Sequence, residues 1–159
     1  MLKQKVTVSL IIATYNRGPR IAATLDSVLV QTRAPDEIIV VDDCSTDGTG
    51  DWVESHYPRV VLVRPPRNGG TSAARNFGAK AAQSQILAFL DHDDLLHPHA
   101  IQTLTDMLLD FPEAHAAFAD HVYDNRATGQ RIPDHHESQP SFHRLRDVPT
   151  IRRAGKARL

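Results

Sequence analysis

The order of apolar and polar residues along the chain predicts alternating strands and helices. Continuous apolar runs rich in β-branched residues are typical of buried parallel strands, and they recur at intervals that leave room for a helix. The predicted strands cover residues 5–13, 37–43, 59–65, 85–91 and 114–120. Apolar residues at helical spacing predict helices over residues 19–31, 47–56 and 70–84, and a fourth helix that starts at Pro98.

This alternation predicts an α/β fold with a mainly parallel central sheet that is flanked by helices. In such sheets, ligands bind at the carboxyl ends of the strands, where the strand order reverses. The first, second and fourth predicted strands all end in polar residues, at positions 14–17, 42–43 and 91–94. The sequence therefore predicts a polar ligand site at this edge of the sheet.

The last part of the chain has a weaker pattern. Residues 121–132 are compatible with a hairpin that turns at Thr128–Gly129, and three prolines follow with little apolar periodicity. Residues 126–159 contain eight Lys or Arg against three Asp or Glu. We therefore predict one domain over residues 1–130 and an irregular basic tail over 131–159, for which partial disorder is one alternative.

Composition narrows the class of protein. A chain of 159 residues suits one domain with a full core, and a formal net charge of −1 favours no nucleic-acid partner. Cys44 is the single cysteine and so excludes an intrachain disulfide, and the apolar run over residues 6–13 is too short to span a bilayer. We expect a cytoplasmic protein without a transmembrane segment. Peripheral contact of the basic tail with the inner face of the membrane stays open.

The aspartate cluster after the fourth strand predicts a site for a hard cation. Asp91 and Asp93 form an Asp-x-Asp pair, and two carboxylates at a strand end supply the oxygen ligands that Mg²⁺, Mn²⁺ or Ca²⁺ prefer. The alternative is that Asp93 or Asp94 caps the helix after Pro98.

The second polar cluster allows two interpretations. Residues 43–54 fit the spacing of a calcium-binding loop, but a strand rather than a helix precedes them. We favour a strand-to-helix turn, in which Asp42 or Asp43 faces a ligand and Ser45 or Asp47 caps the helix. Further along, the glycines of RNGGTSAARN open a helix, where free N–H groups favour an anion and where Arg67 and Arg75 could contact phosphate.

Four motifs in order, VSLIIATYNR, IIVVDDCSTDGT, NGGTSAARNFGAKAA and LAFLDHDDLLHP, together resemble family 2 glycosyltransferases of GT-A fold. The resemblance covers about residues 6–129. It implies the Rossmann-like fold of nucleotide-diphospho-sugar transferases, a nucleotide-sugar donor that is usually a UDP-sugar, and a divalent cation, Mn²⁺ or Mg²⁺. The acceptor half of the family looks truncated, replaced or absent in this chain.

The same resemblance implies roles for the residues of these motifs. Thr14 and Tyr15 would lie beside the base and ribose, and Asn16 and His92 belong to the same donor-binding motifs. The other implied contacts are Asp42 and Asp43 to the base, Arg75 to the base or phosphates, Asp91 to ribose or metal-bound water, and Asp93 to the metal.

The implied reaction is an inverting displacement at the anomeric carbon, in which an acidic general base deprotonates an acceptor of unknown class: glycan, lipid or protein. The sequence offers no match for that base. Glu137 is the only glutamate after Glu113, and its surroundings differ from the family motif. We therefore expect a glycosyltransferase that is too short to act alone, or a non-catalytic module that binds nucleotide sugars. A nucleotidyltransferase is disfavoured, because the loop TYNRG lacks the glycine-rich basic signature of those enzymes.

Three further residues have interpretations from packing alone. Cys44 is expected to be a small packing residue rather than a nucleophile, since no histidine is close to it in sequence. Trp52 and Phe77 lie on predicted helices at positions that favour core packing over base stacking.

Overall fold

The computed structural model describes residues 6–119, 122–125 and 130–133. The central sheet contains four strands: β1 (Val8–Thr14), β2 (Glu37–Asp42), β3 (Val61–Val63) and β4 (Ile86–Asp91). The helices are a 3₁₀ turn (Gly18–Ile21) that leads into α1 (Ala22–Leu29), then α2 (Thr49–His56), α3 (Gly70–Ala81) and α4 (Ala100–Asp110). The predicted α/β alternation is confirmed.

All four strands are parallel, and they lie in the order β3-β2-β1-β4. The chain moves outward from β1 through β2 to β3, then returns to the other side of β1 as β4. The strand order therefore reverses at β1, which brings its carboxyl end between those of β2 and β4. Ala13 pairs with Val41 on one side and with Asp91 on the other.

Helices cover both faces of the sheet, as the continuous apolar strands predict. Alternate residues of β1 point to opposite faces, so Leu10 and Ile12 pack with α1, α2 and α4, while Ile11 and Ala13 pack with α3. All seven residues of β1 are buried. Each fully buried isoleucine or leucine stabilises the fold by about 1.5–3 kcal/mol relative to an exposed one.

Helix α3 lies unusually close to the sheet because of a glycine. A Cβ atom added at Gly78 would lie 2.6 Å from Ile11 Cγ2 and 2.8 Å from Val41 Cγ2. The small side chains of this alanine-rich helix thus set the distance between α3 and the strands. Phe77, next to Gly78, is 38% exposed, so the prediction that it packs in the core is wrong.

The structure differs from two of the predicted elements. Residues 114–119 form no strand, and α4 begins at Ala100 rather than at Pro98. Strands β5 (Val122–Asn125) and β6 (Gln130–Pro133) pair antiparallel, in agreement with the predicted hairpin, whose turn lies outside the described residues. Strand β6 includes residues 131–133 of the predicted tail, and the rest of that tail also lies outside them.

No helix in the described part of the chain is both long enough and apolar enough to cross a membrane.

Candidate donor site at the carboxyl edge of the sheet

A cavity of about 170 Å³ opens at the carboxyl edge of the sheet, beside the strand at which the order reverses. It lies between the loop after β1, the loop after β2, the start of α3 and the end of β4. Its lining consists of Ala13, Thr14, Tyr15, Asp43, Asn68, Gly70, Thr71, Ala74 and His92. A cavity with several polar residues in its lining thus lies where the sequence predicts the ligand site.

The end of β1 contributes one buried and one exposed side chain to the cavity. Thr14 is 2% exposed, and its hydroxyl oxygen has no hydrogen-bond partner among the described residues. A buried hydroxyl is normally paired, because leaving it unpaired costs free energy. Tyr15, the next residue, is 45% exposed and also lines the cavity. This edge therefore offers a free polar group next to an accessible aromatic ring.

Asn16 connects the loop after β1 to the loop after β2. It adopts a left-handed conformation (φ 50°), and its backbone N–H donates to Ser45 Oγ at 2.9 Å. Its side-chain oxygen accepts the N–H of Thr46 at 2.8 Å. The side-chain oxygen of Asn16, a predicted donor-binding residue, is therefore used to join two loops of the site.

Thr49, a buried residue at the start of α2, forms hydrogen bonds to the loop after β1. The hydroxyl oxygen of Thr49 accepts the backbone N–H groups of Arg17 (2.9 Å) and Gly18 (2.7 Å), and its proton is donated to the carboxylate of Asp47. Asp47 also accepts the N–H of Thr49 at 3.0 Å. The prediction that Ser45 or Asp47 caps α2 is nevertheless wrong, because the residue that precedes the helix is Gly48 and no side chain caps it. Hydrogen bonds from Thr49, chiefly from its hydroxyl, lower the pKa of Asp47 below the ordinary value of 3.8.

The two aspartates after β2 have different surroundings. Asp43 lines the cavity, and its carboxylate accepts the backbone N–H groups of Gly69 at 3.0 Å and Gly70 at 2.7 Å. We predicted that the start of α3 favours an anion, and the group bound there is the protein's own carboxylate. Asp42 is also buried, but it accepts the N–H of Ser45 at 3.0 Å and lies outside the cavity lining.

Arg75 of α3 reaches across to the end of β4 and forms an ion pair with Asp91. The side chain of Arg75 is 36% exposed and that of Asp91 is 48% exposed. The Nε–H of Arg75 is buried and has no acceptor among the residues that the structure describes. Arg75 is thus paired with Asp91, another predicted donor-binding residue, while the Nε–H of Arg75 has no acceptor among the described residues.

Asp93 is the most accessible carboxylate of the Asp-x-Asp pair. Its side chain is 63% exposed, and its ion pair with Arg17 is long, at 3.5 Å. His92, between the two aspartates, lines the cavity and accepts a hydrogen bond from Arg17 Nε. We did not predict a role for Arg17, although it follows Asn16 in the polar segment after β1, because its two side-chain partners lie more than 70 residues further along the chain.

The donor set at Asp91 and Asp93 fits a hard cation that takes further ligands from water or substrate. Neither carboxylate is buried, and a magnesium-like ion commonly uses only one or two protein carboxylates. Within residues 6–119, no group of three or more His, Cys, Asp or Glu side chains could hold a metal ion alone.

The structure supports neither of the two alternatives from the sequence, the calcium-binding loop and the capping of the next helix by an aspartate. The calcium-loop spacing of residues 43–54 assembles no site, because Asp51 and Glu54 both pair with Arg64, at 2.6 and 3.5 Å. Capping of the next helix by Asp93 or Asp94 is also wrong. The residue that precedes α4 is His99, and no side chain caps that helix.

The fold and the position of the cavity define a class: open parallel α/β proteins that take ligands at the carboxyl edge, where the strand order reverses. Within that class, a sequence profile described as "Glycosyl transferase family 2" matches residues 9–155. The chain belongs to this family, which confirms the resemblance found from its four motifs.

Similar proteins agree with this assignment. The chain is 37% identical over 100 residues to the succinoglycan biosynthesis protein ExoO of Rhizobium meliloti, which covers 62% of this chain and 29% of ExoO. S. aureus TarS 1-349 in complex with UDP-GlcNAc superposes with a TM-score of 0.55 at 34% identity, over 69% of this chain and 32% of TarS. Mannosyltransferase PcManGT from Pyrobaculum calidifontis, in complex with GDP-Man and Mn²⁺, gives a TM-score of 0.59 at 30% identity, over 66% of this chain and 33% of that one.

These superpositions confirm the predicted GT-A fold. The chain spans about a third of the length of the relatives it matches.

Proposed function

We propose that this chain provides the donor site of a glycosyltransferase that transfers a sugar from a nucleotide-diphosphate-sugar, a UDP-sugar, to an acceptor. The observation that carries the proposal is the carboxylate pair Asp91 and Asp93. The residue between them, His92, lines the cavity at the strand reversal. The complexes of two similar proteins with UDP-GlcNAc and with GDP-Man support a nucleotide sugar as the ligand.

The cavity suits the nucleoside part of the donor. Tyr15 presents an exposed ring on which a base can stack, and the unpaired hydroxyl of Thr14 can hydrogen-bond to the base or the ribose. Asn68 and Thr71 add polar groups to the lining, and Asp43 retains acceptor capacity beside its bonds to α3. A nucleoside bound here would pair with the Thr14 hydroxyl, which has no partner among the described residues.

Asp93 is the residue that we propose as the main metal ligand, with Asp91 facing ribose or metal-bound water. Asp93 is the more exposed carboxylate, and its contacts with Arg17 at 3.5 Å and His92 at 3.9 Å are long, whereas Asp91 is closely paired with Arg75. A divalent cation, Mn²⁺ or Mg²⁺, would neutralise the diphosphate and act as a Lewis acid on the leaving phosphate oxygen. The similar mannosyltransferase structure that contains Mn²⁺ supports this choice.

The proposed transfer is a single displacement with inversion. A bond forms between the acceptor oxygen and the anomeric carbon, the bond from that carbon to the diphosphate breaks, and the acceptor proton passes to a base. We assign no residue of the described chain to that base. The part of the reaction that this chain's own residues support is the binding and orientation of the donor.

Calorimetry with UDP in the presence of Mn²⁺ tests the donor site. We expect binding that weakens at least about tenfold in Asp93→Asn, since that change removes the charge of the proposed metal ligand. Asp110→Asn is a matched control, because Asp110 is an exposed carboxylate at the end of α4, away from the cavity. A folded sample that fails to bind UDP with Mn²⁺ would contradict the proposal.

Assays of donor hydrolysis and of sugar transfer then separate a transferase from a binding module. Turnover that depends on Asp93 supports the enzyme, and tight UDP binding without turnover supports a chain that binds the donor but does not act alone. Titration with GDP beside UDP tests the choice of nucleotide, because a preference for GDP would contradict the UDP-sugar assignment.

A further inference from the structure

Arg17 forms an ion pair with Asp93, and three contacts fix the position of Arg17. Its backbone N–H donates to Thr49 Oγ1 at 2.9 Å, its Nε donates to His92 Nε2, and a terminal nitrogen lies 3.5 Å from Asp93. Both its backbone and its guanidinium are thus held by the protein. The contact with the carboxylate is the loosest of the three.

His92 sets the direction of this guanidinium. The Nδ1 atom of His92 lies 2.9 Å from the carbonyl oxygen of Ala13, and a carbonyl only accepts, so the ring proton is on Nδ1. The Nε2 atom is then an acceptor, as its hydrogen bond from Arg17 requires. The backbone of His92 is also fixed, because its carbonyl accepts the hydroxyl of Thr24 at 2.9 Å. His92 therefore connects the end of β1 to Arg17.

His92 also lines the cavity, so it lies between the proposed nucleoside site and the charged side chains of Arg17 and Asp93. A diphosphate attached to a nucleoside in the cavity would extend past His92 toward Asp93 and Arg17. We propose that Arg17 binds the phosphoryl oxygens of the nucleotide, and that His92 positions Arg17 for this contact. This proposal rests on the donor site proposed above.

The hydrogen-bonding capacity of Arg17 agrees with this assignment. A guanidinium has five N–H donors in a planar fork that matches phosphate, and one of these donors is used by His92. The side chain is 36% exposed, so its terminal nitrogens are accessible to a ligand. Because the bond to His92 uses Nε, the terminal nitrogens of Arg17 can move from Asp93 to a phosphate while the bond to His92 remains.

The local charges balance in both states. In the free protein, Arg17 and Arg75 compensate Asp93 and Asp91. When a divalent cation takes the carboxylates, the arginines lose their anionic partners while the diphosphate brings new ones. An exchange of partners keeps every charge compensated, whereas a guanidinium that faced only the cation would be repelled.

Comparison of UDP with uridine isolates the phosphoryl contact. We expect Arg17→Gln to weaken UDP binding in the presence of Mg²⁺ about tenfold, the loss typical of a charge-assisted hydrogen bond, and to leave uridine binding unchanged. Arg59→Gln is the control, because Arg59 is an exposed arginine that lines a separate cavity at the opposite edge of the sheet. NMR titration of each variant gives both affinities and shows that the variant is folded.

Two results would overturn the assignment. Unchanged or tighter UDP binding in Arg17→Gln would show that Arg17 is only a counterion that competes with the metal for Asp93. Equal losses for UDP and uridine would show that the substitution disturbs the nucleoside cavity instead. A wild-type chain that binds neither compound contradicts the donor site itself, so the two failures are distinguishable.

A double-mutant cycle tests His92 as a positioning residue. The readout is the ratio of UDP affinity to uridine affinity, which cancels the effect of the His92 ring on the cavity wall. We expect His92→Ala to lower this ratio and to add nothing to it once Arg17→Gln is present, because both changes remove one interaction. Effects on the ratio that multiply would show that His92 and Arg17 act independently, against the proposal.

Discussion

At the scale of single residues, the unusual feature of this edge is polar atoms that are buried without partners. The hydroxyl of Thr14 and the Nε–H of Arg75 are both in this state within the described chain. An unpaired buried polar group costs about 1–3 kcal/mol, and native folds contain few of them. Both atoms belong to residues of the proposed donor site, where a nucleotide would supply the missing hydrogen bonds.

Replacement of Thr14 by valine separates stability from binding. We expect Thr14→Val to leave the free energy of unfolding unchanged or to raise it by up to about 1–2 kcal/mol, because it removes an unpaired hydroxyl and keeps the shape. UDP affinity should fall. Urea unfolding measures the first effect and calorimetry the second.

Thr24→Val is the matched control for Thr14→Val. Thr24 is equally buried, but its hydroxyl donates to the carbonyl of His92 at 2.9 Å. This variant should lose about 1 kcal/mol of stability. A comparable loss in Thr14→Val would contradict the account, since it would mean that the Thr14 hydroxyl has a partner inside the free protein.

Sequence reasoning predicted which residues form the site better than it predicted their partners. Thr14, Tyr15, Asp43 and His92 line one cavity because parallel strands bring their carboxyl ends to one edge, and the pattern of strands reveals that edge. The partners of Asp43 and Arg17 depend on where α3 and β4 lie in space. No local pattern contains that information.

At the scale of elements, α2 begins with a pH-sensitive contact. Because hydrogen bonds from Thr49 lower the pKa of Asp47 below 3.8, its ionised form contributes stability above that pH. The contribution is lost as pH falls through the lowered pKa of the folded state. Stability that depends on Asp47 is therefore expected at neutral pH and not in acid.

Asp47→Asn tests this contact. The difference in urea midpoint between the wild type and the variant should be largest near neutral pH and should shrink as pH falls below about 3.8. Asp51→Asn is a useful control, since Asp51 lies in the first turn of the same helix but pairs with Arg64. A difference for Asp47→Asn that stays constant down to strongly acid pH would contradict the assigned role.

Helix α3 packs against the sheet at Gly78, where there is no room for a methyl group. Although alanine favours helices over glycine by about 1 kcal/mol, we expect Gly78→Ala to destabilise the protein by about 1–3 kcal/mol. The added methyl would overlap Ile11 and Val41, which are themselves fully buried. Thermal or urea unfolding measures the effect.

Asn76→Ala provides the comparison for Gly78→Ala on the same helix. Asn76 is exposed, so its replacement should stabilise the protein by a few tenths of a kcal/mol through helix propensity alone. A Gly78→Ala variant that is stabilised to the same extent would show that α3 is free to move away from the strands.

The elements also show why some predictions from sequence failed. The four strands of the sheet were recognisable because each of them consists mostly of apolar residues. Residues 114–119 are mostly alanine, which has low strand propensity, and they form no strand. Phe77 was expected in the core from its position on the predicted helix, but its neighbour Gly78 is the residue that faces the sheet, and Phe77 is 38% exposed.

At the scale of the whole molecule, the site is assembled from four segments that are distant in sequence. The loops after β1 and β2, the start of α3 and the end of β4 each contribute side chains to one edge. Hydrogen bonds such as those of Asn16 and Thr49 join these loops to one another. These hydrogen bonds therefore join the segments of the proposed donor site to one another within the described residues.

NMR mapping on the 159-residue chain tests this central claim most directly. With UDP and Mg²⁺, backbone amide shifts should change at residues 13–16, 43, 68–71 and 91–93, and Mn²⁺ in place of Mg²⁺ should broaden the signals nearest Asp93. Shifts confined to other surfaces, such as the cavity around Glu37 and Arg59 at the opposite edge, would contradict the account. So would broadening by Mn²⁺ that leaves Asp91 and Asp93 unaffected.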